Sequence, residues 1–168
     1  MWTLARPLAQ AGVSPDAVTV GGALAALGAV AAPPGARGPL LVAGSVADGL
    51  DGAVAVLRDH TSSYGQALDH AADRIADLSA AAVLVRSGAP WPVVAPGLAM
   101  TFALETLRGR AAPVVTVGER PSRVVCGALG DVAAAVTGRR WPAVVAAVVW
   151  DVLAAVAVIQ LRRARAAR

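Results

Sequence analysis

Eleven acidic residues occur in the 168-residue chain. Five of them, Asp48, Asp51, Asp69, Asp73 and Asp77, stand in two stretches that are otherwise almost wholly apolar. An ionised Asp at the centre of a membrane helix costs about 2.5–3.5 kcal/mol, so five together are not accidents in a chain that excludes charge elsewhere. At about 100° per residue, Asp48, Asp51, Gly52 and Ala55 share one helical face. Gly65, Asp69 and Asp73 follow at steps of four and share another. A short turn joins the two stretches, so they are expected to pack as an antiparallel hairpin. Four carboxylates then converge. Two like charges about 5 Å apart repel by roughly 3 kcal/mol at an effective dielectric of about 20, so such a cluster is stable only if protonated or if it holds cations. An all-oxygen site suits Mg²⁺, Mn²⁺ or Ca²⁺. Gly52, Ala55 and Gly65 would leave room for a ligand beside the metals. The plainer reading is that these Asp cap or bridge helices or pair with arginines; Asp77 in particular can pair with Arg74 at i−3.

The elements that must position these groups are set by composition. Hydrophobic residues make up 57% and charged residues 15%, against roughly 45–50% and 25% in soluble domains, and the mean hydropathy is +0.61. Disorder is excluded by this apolar content, and a disulfide scaffold by the single cysteine, Cys126. All fifteen basic residues are arginine. They are dispersed and aromatics are only 4%, which argues against nucleic acid and suits an anionic membrane surface or phosphate-bearing ligands.

Six apolar spans are expected, at residues 17–32, 39–57, 64–85, 91–107, 124–136 and 142–161. Pro33-Pro34-Gly35, Arg58-Asp59-His60, Arg86-Ser87-Gly88, a polar connection from Arg108 to Arg123, and Gly138-Arg139-Arg140 separate them. Residues 1–13, with Trp2, Leu4, Arg6 and Leu8, suit a short interfacial helix and lack the apolar core of a cleavable signal peptide. Residues 162–168 form a basic tail. The fold class read from this pattern is all-α, one membrane domain over residues 1–168 built as a bundle of six transmembrane helices. Ten arginines fall on the side of the termini and four (Arg37, Arg86, Arg139, Arg140) on the other, which places both termini in the cytoplasm.

At the carboxylates the sequence resembles a known family. Asp48-Gly-Leu-Asp51-Gly52-Ala-Val-Ala55, followed by Gly65-Gln-Ala-Leu-Asp69-His-Ala-Ala-Asp73, resembles the CDP-alcohol phosphotransferase signature, D-x-x-D-G-x-x-A-R and then G-x-x-x-D-x-x-x-D. Ser14-Pro15-Asp16-Ala-Val-Thr19 is similar to the family's P-N-x-x-T start of the first span, with Asp for Asn. Val56 stands where the signature has Arg, and Arg58 lies two residues on. Asp69-x-x-x-Asp73-Arg74-Ile75-x-Asp77 and Glu119-Arg120-Pro121-Ser122-Arg123 resemble the actinobacterial phosphatidylinositol-phosphate synthase branch, although Glu105-Thr106-Leu107-Arg108-Gly-Arg110 lacks the Lys expected there.

The resemblance implies transfer of a phosphatidyl or related phosphoalcohol group from a CDP-linked donor such as CDP-diacylglycerol to an acceptor alcohol, plain or phosphorylated, with release of CMP. It implies two divalent cations, Mg²⁺ or Mn²⁺, on Asp48, Asp51, Asp69 and Asp73, with Asp73 as general base. It implies a CDP donor beside Gly52, Ala55 and Gly65, and an acceptor phosphate near Arg108, Arg120 and Arg123, with Arg110 beside them. It also implies phospholipid biosynthesis in a bacterial cell membrane, and a homodimer, which the small-residue faces favour too. Two other readings compete: a degenerate family member acting as a metal-binding membrane scaffold, for which Val56 speaks, and a divalent-cation transporter. His60 and His70 read as loop and helix-surface residues, Cys126 as a small core residue, and Asp131 and Asp151 as carboxylates of later spans.

Overall fold

The computed structural model describes residues 2–58, 62–108, 116–117 and 120–166. The described residues form helices and loops, with no strand among them: α1 (Trp2–Gln10), α2 (Pro15–Ala31), α3 (Arg37–Leu57), α4 (Ser63–Arg86), α5 (Trp91–Arg108), α6 (Arg120–Thr137) and α7 (Trp141–Ala166). The all-α expectation holds. Helices α2 to α7 correspond to the six expected spans, and α1 to the expected N-terminal helix.

Local chemistry sets the boundaries. Ser14 caps α2, its side chain accepting from the Ala17 N–H at 3.2 Å, with Pro15 in the first helical position and Asp16 near the positive end of the helix dipole. Ser62 caps α4 in the same way, accepting from Gly65 N–H at 2.9 Å. α6 starts four residues earlier than the sequence pattern places it, at Arg120 rather than Val124. Pro121 there does not interrupt a helix: the first turn needs no N–H from it.

By length and composition α3 and α7 each suffice to cross a membrane. α1 and α2 suffice together but bend by 119° at the break between them, and residues 91–107 form a shorter apolar helix. α4 carries Asp69, Asp73, Arg74 and Asp77, and α6 carries Arg120, Arg123 and Asp131, charges that lower the hydropathy of these two helices. Large apolar side chains such as Leu24, Leu129, Val136, Val152 and Ile159 are exposed, as in a bundle whose outer surface meets lipid rather than water.

α2 packs against α3 and α4 more extensively than those two pack against each other. The expected α3–α4 contact exists, but α2 is the third wall. Gly22 and Gly44 make that approach possible. A Cβ on Gly22 would lie 3.0 Å from the Gly44 carbonyl oxygen, and one on Gly44 2.9 Å from that of Gly22, so the backbones touch. On the other side α4, α5 and α7 supply a core of Leu84, Val94, Leu98, Ala143, Ala147 and Trp150, which Cys126 of α6 joins. The indole N–H of Trp150 donates to Thr101 Oγ1 at 3.2 Å, which satisfies the polar atom of a fully buried ring.

Candidate active site

Of the four carboxylates expected to converge, three do so in one group. One oxygen each from Asp48, Asp51 and Asp69 lie within 4.8 Å of one another, so α3 and α4 do turn these faces together. Asp69, His70 and Asp73 form a second such group, and Asp69 belongs to both. His70 is exposed, as its surface reading required, yet a ring nitrogen of it belongs to this second group.

Each carboxylate has a different partner. Thr19 Oγ1, in α2, donates to Asp51 Oδ2 at 2.5 Å and also lies 3.1 Å from the Pro15 carbonyl oxygen one turn earlier. Asp51 Oδ1 accepts from the Gly52 N–H at 2.6 Å. Asp51 is buried and held by two donors. Asp48 and Asp73 are bridged by the guanidinium of Arg120, Nη1 on Asp48 and Nη2 on Asp73. Asp77 points to a separate network. Arg123 Nη1 lies 2.9 Å from its Oδ1 and Arg74 Nη2 3.4 Å from its Oδ2. Glu105 lies 3.9 Å from Arg74 and 4.0 Å from Arg123. The Arg74 guanidinium also sits over the Phe102 ring, 5.1 Å from its centroid, a cation–π contact. The i−3 pairing of Asp77 with Arg74 is thus present, and a buried arginine from α6 completes it.

A cavity of about 630 Å³ opens beside the carboxylates. Asp48, Asp51 and Asp69 line it, together with Gly52, Ala55, Val56, Gly65 and Arg120. Among the described residues nothing stands within 4 Å of where a Gly52 Cβ would be, so this glycine leaves open space. A Cβ on Gly65 would approach Ser62 Oγ and Asp16 Oδ1 at 3.2 and 3.3 Å. The arginines expected to act together are separated. Arg120 faces the cavity, whereas Arg123 is only 4% exposed and seated on Asp77. Arg108 ends α5 with its side chain outside the described residues, as are His60, Arg110, Glu119 and Arg168.

Sequence reasoning did not place Trp2, Asp16, Thr19 or Gln66 in the site, although Trp2, Asp16, Thr19 and Gln66 line the cavity. For Asp16 and Thr19 the signal was at hand: the P-D-x-x-T segment marks the start of a helix, and from there Thr19 reaches Asp51 of α3 and Asp16 lies against Gly65 of α4. Arg58 does not take the place of the missing motif Arg. α3 ends at Leu57, and Arg58 turns away to donate to the carbonyl oxygens of Gly12 and Val13 at 2.9 and 2.8 Å. It ties the α1–α2 break to the end of α3, while Val56 is 63% exposed and edges the cavity.

No curated protein matches this sequence. The family model described as CDP-alcohol phosphatidyltransferase matches residues 14–159, which include both carboxylate-bearing helices. The chain therefore belongs to the CDP-alcohol phosphatidyltransferase family, enzymes that transfer a substituted phosphate group from a CDP-alcohol in phospholipid synthesis, and with its apolar helices it is a membrane protein.

Proposed function

We propose that this chain transfers a phosphatidyl group from a CDP-diacylglycerol-like donor to a small polar alcohol or phosphorylated alcohol and releases CMP. The observation that carries this reading is the cavity, walled on one side by Asp48, Asp51 and Asp69 and kept open by Gly52. The residues fit a pair of divalent cations. Asp48, Asp51, Asp69 and Asp73 offer hard oxygen ligands in two overlapping groups, and Arg120 is the one cation bonded to them among the described residues. Four carboxylates against one guanidinium leave an excess negative charge that Mg²⁺ or Mn²⁺ would balance. When bound, such cations supply charge neutralisation for the diphosphate and for the departing CMP.

The chain's own groups do the rest, since phosphoryl transfer depends chiefly on positioning and electrostatics. The acceptor oxygen attacks the phosphorus that carries the diacylglycerol moiety, the bond from that phosphorus to the CMP oxygen breaks, and Asp73 takes the acceptor's hydroxyl proton. Thr19 and the Gly52 N–H fix the orientation of Asp51. Gly52, Ala55 and Gly65 give the donor room. Among the arginines expected to hold an acceptor phosphate, Arg120 has access to the cavity; Arg123 serves by fixing Asp77 beneath the site, and Arg108 belongs to the same proposal. The chain acts as a single domain of the bacterial cell membrane, as a homodimer, with α1 at the interface and the termini and basic tail in the cytoplasm.

The test is CMP release from CDP-diacylglycerol by the purified chain with Mg²⁺ or Mn²⁺, across a panel of acceptor alcohols. Release that requires both the cation and one acceptor supports the reading. Cation binding without release under any acceptor would favour the scaffold reading that Val56 invites.

A further inference from the structure

Arg120 holds a position for which two kinds of ligand compete. Its guanidinium puts one terminal nitrogen on Asp48 and the other on Asp73. Asp48 belongs to one group of converging ligand atoms, with Asp51 and Asp69; Asp73 belongs to the other, with Asp69 and His70. Arg120 thus spans both groups. A planar fork with diverging N–H donors can do this, whereas an ammonium would act as a single point charge. Arg120 lines the cavity and Asp73 is not among the residues lining it, so of this ion pair it is Arg120 that faces the space where substrate would enter. Arg120 is also the first residue of α6. Its buried Nε has no hydrogen-bond partner among the described residues, so no hydrogen bond there fastens the fork.

We propose that Arg120 is an intramolecular stand-in for a divalent cation: it bridges Asp48 and Asp73 until the metal displaces it, which uncovers Asp73 and frees the guanidinium for an anionic group in the cavity. The inference rests on the reading of these carboxylates as cation ligands. The physical reason is competition. A guanidinium ion-paired with these carboxylates neutralises the charge that would attract a metal, and beside a divalent cation it is repelled. The same guanidinium cannot serve carboxylates and a phosphate together. Cation binding therefore precedes productive binding of the phosphate-bearing substrate, and Asp73 becomes available as a proton acceptor only after the exchange.

The experiment measures Mn²⁺ binding to the purified full chain in detergent, without lipid substrate, from the electron paramagnetic resonance signal of free Mn²⁺. Wild type, Arg120→Gln and Asp69→Asn are compared. Removing the internal competitor in Arg120→Gln is expected to tighten Mn²⁺ binding about tenfold, and removing a ligand in Asp69→Asn to weaken it by about tenfold or more. Unchanged or weaker binding by Arg120→Gln, with binding weakened in Asp69→Asn, overturns the displacement and leaves the metal reading standing. Wild-type affinity in Asp69→Asn overturns both. A second measurement needs no variant: modification of Arg120 by phenylglyoxal in the wild-type chain, read by mass spectrometry, is expected to rise severalfold when Mn²⁺ replaces chelator. Unchanged or reduced modification contradicts the displacement.

Discussion

Asp131 and Asp69 are both carboxylates on helices of an apolar bundle, and they are treated in opposite ways. Asp131 is 1% exposed and surrounded by donors. Its Oδ2 accepts from the N–H groups of Gly35 and Gly38 at 3.0 and 3.1 Å. Its Oδ1 accepts from Ser87 Oγ at 2.9 Å and lies 3.6 Å from Arg37 Nη1. It thereby fastens the start of α3 and the end of α4 to α6. Arg37 in turn donates through Nε to the Ala32 carbonyl oxygen at 3.0 Å. Asp48 stands eleven residues further along α3, about 16 Å at 1.5 Å per residue, and there carboxylates meet other carboxylates as well as donors. Asp48, Asp51 and Asp69 face one another, and a cavity adjoins them. Burying a carboxylate is tolerable when it is fully hydrogen-bonded and paired. Placing several against each other is tolerable when a ligand completes the set. The first pattern fastens helices together, and the second is the one proposed above to hold cations.

The sharpest way to break this contrast is to make the same change in both places. Asp69→Asn should lower turnover by about 10³-fold, while its melting temperature in chelator should stay level or rise, because one of several mutually repelling charges is gone; kinetics and a thermal melt read the two. Asp131→Asn should do the reverse. It leaves buried Arg37 without its counter-ion and should cost about 3 kcal/mol of stability, with activity per folded molecule retained. A comparable turnover loss in both variants would erase the distinction.

Two smaller effects sharpen the border between the regions. Asp77 lies one turn beyond Asp73 but is paired with Arg123 and Arg74. Asp77→Asn should therefore behave mostly as a fold mutation, costing about 1.5–3 kcal/mol in a denaturation series and lowering turnover far less than Asp69→Asn. Val56→Arg should leave the melt unchanged, because that position is exposed rather than packed. Its new guanidinium at the cavity edge should lower the KM for the CDP donor about tenfold, the equivalent of about 1.4 kcal/mol. A normal melt with an unchanged KM would show that position 56 has no part in donor binding.

The carboxylate cluster was legible because its information is local: a period of about four residues within one helix names the face. The all-helical architecture and the approximate spans followed from hydropathy in the same way. What could not be read depends on helices meeting. Thr19 reaches Asp51 because Gly22 and Gly44 let α2 settle onto α3, and no spacing within either helix announces that. Arg120 was expected near a phosphate, but its contacts with Asp48 and Asp73 arise from α6 crossing over both carboxylate helices. Asp131 was hidden for another reason: two of its partners are backbone N–H groups of Gly35 and Gly38, which carry no side-chain signature. The early start of α6 was missed because Pro121 reads as a breaker in isolation and as a first-turn residue only in context.

The central claim is that the carboxylates of α3 and α4 are a working cation-dependent site. The most direct measurement is CMP release from CDP-diacylglycerol by wild type and Asp69→Asn side by side, with Mn²⁺ and with chelator. The expected result is release by wild type with Mn²⁺ alone and none by the variant under either condition. Release that persists in chelator, or equal release by the variant, would contradict the account.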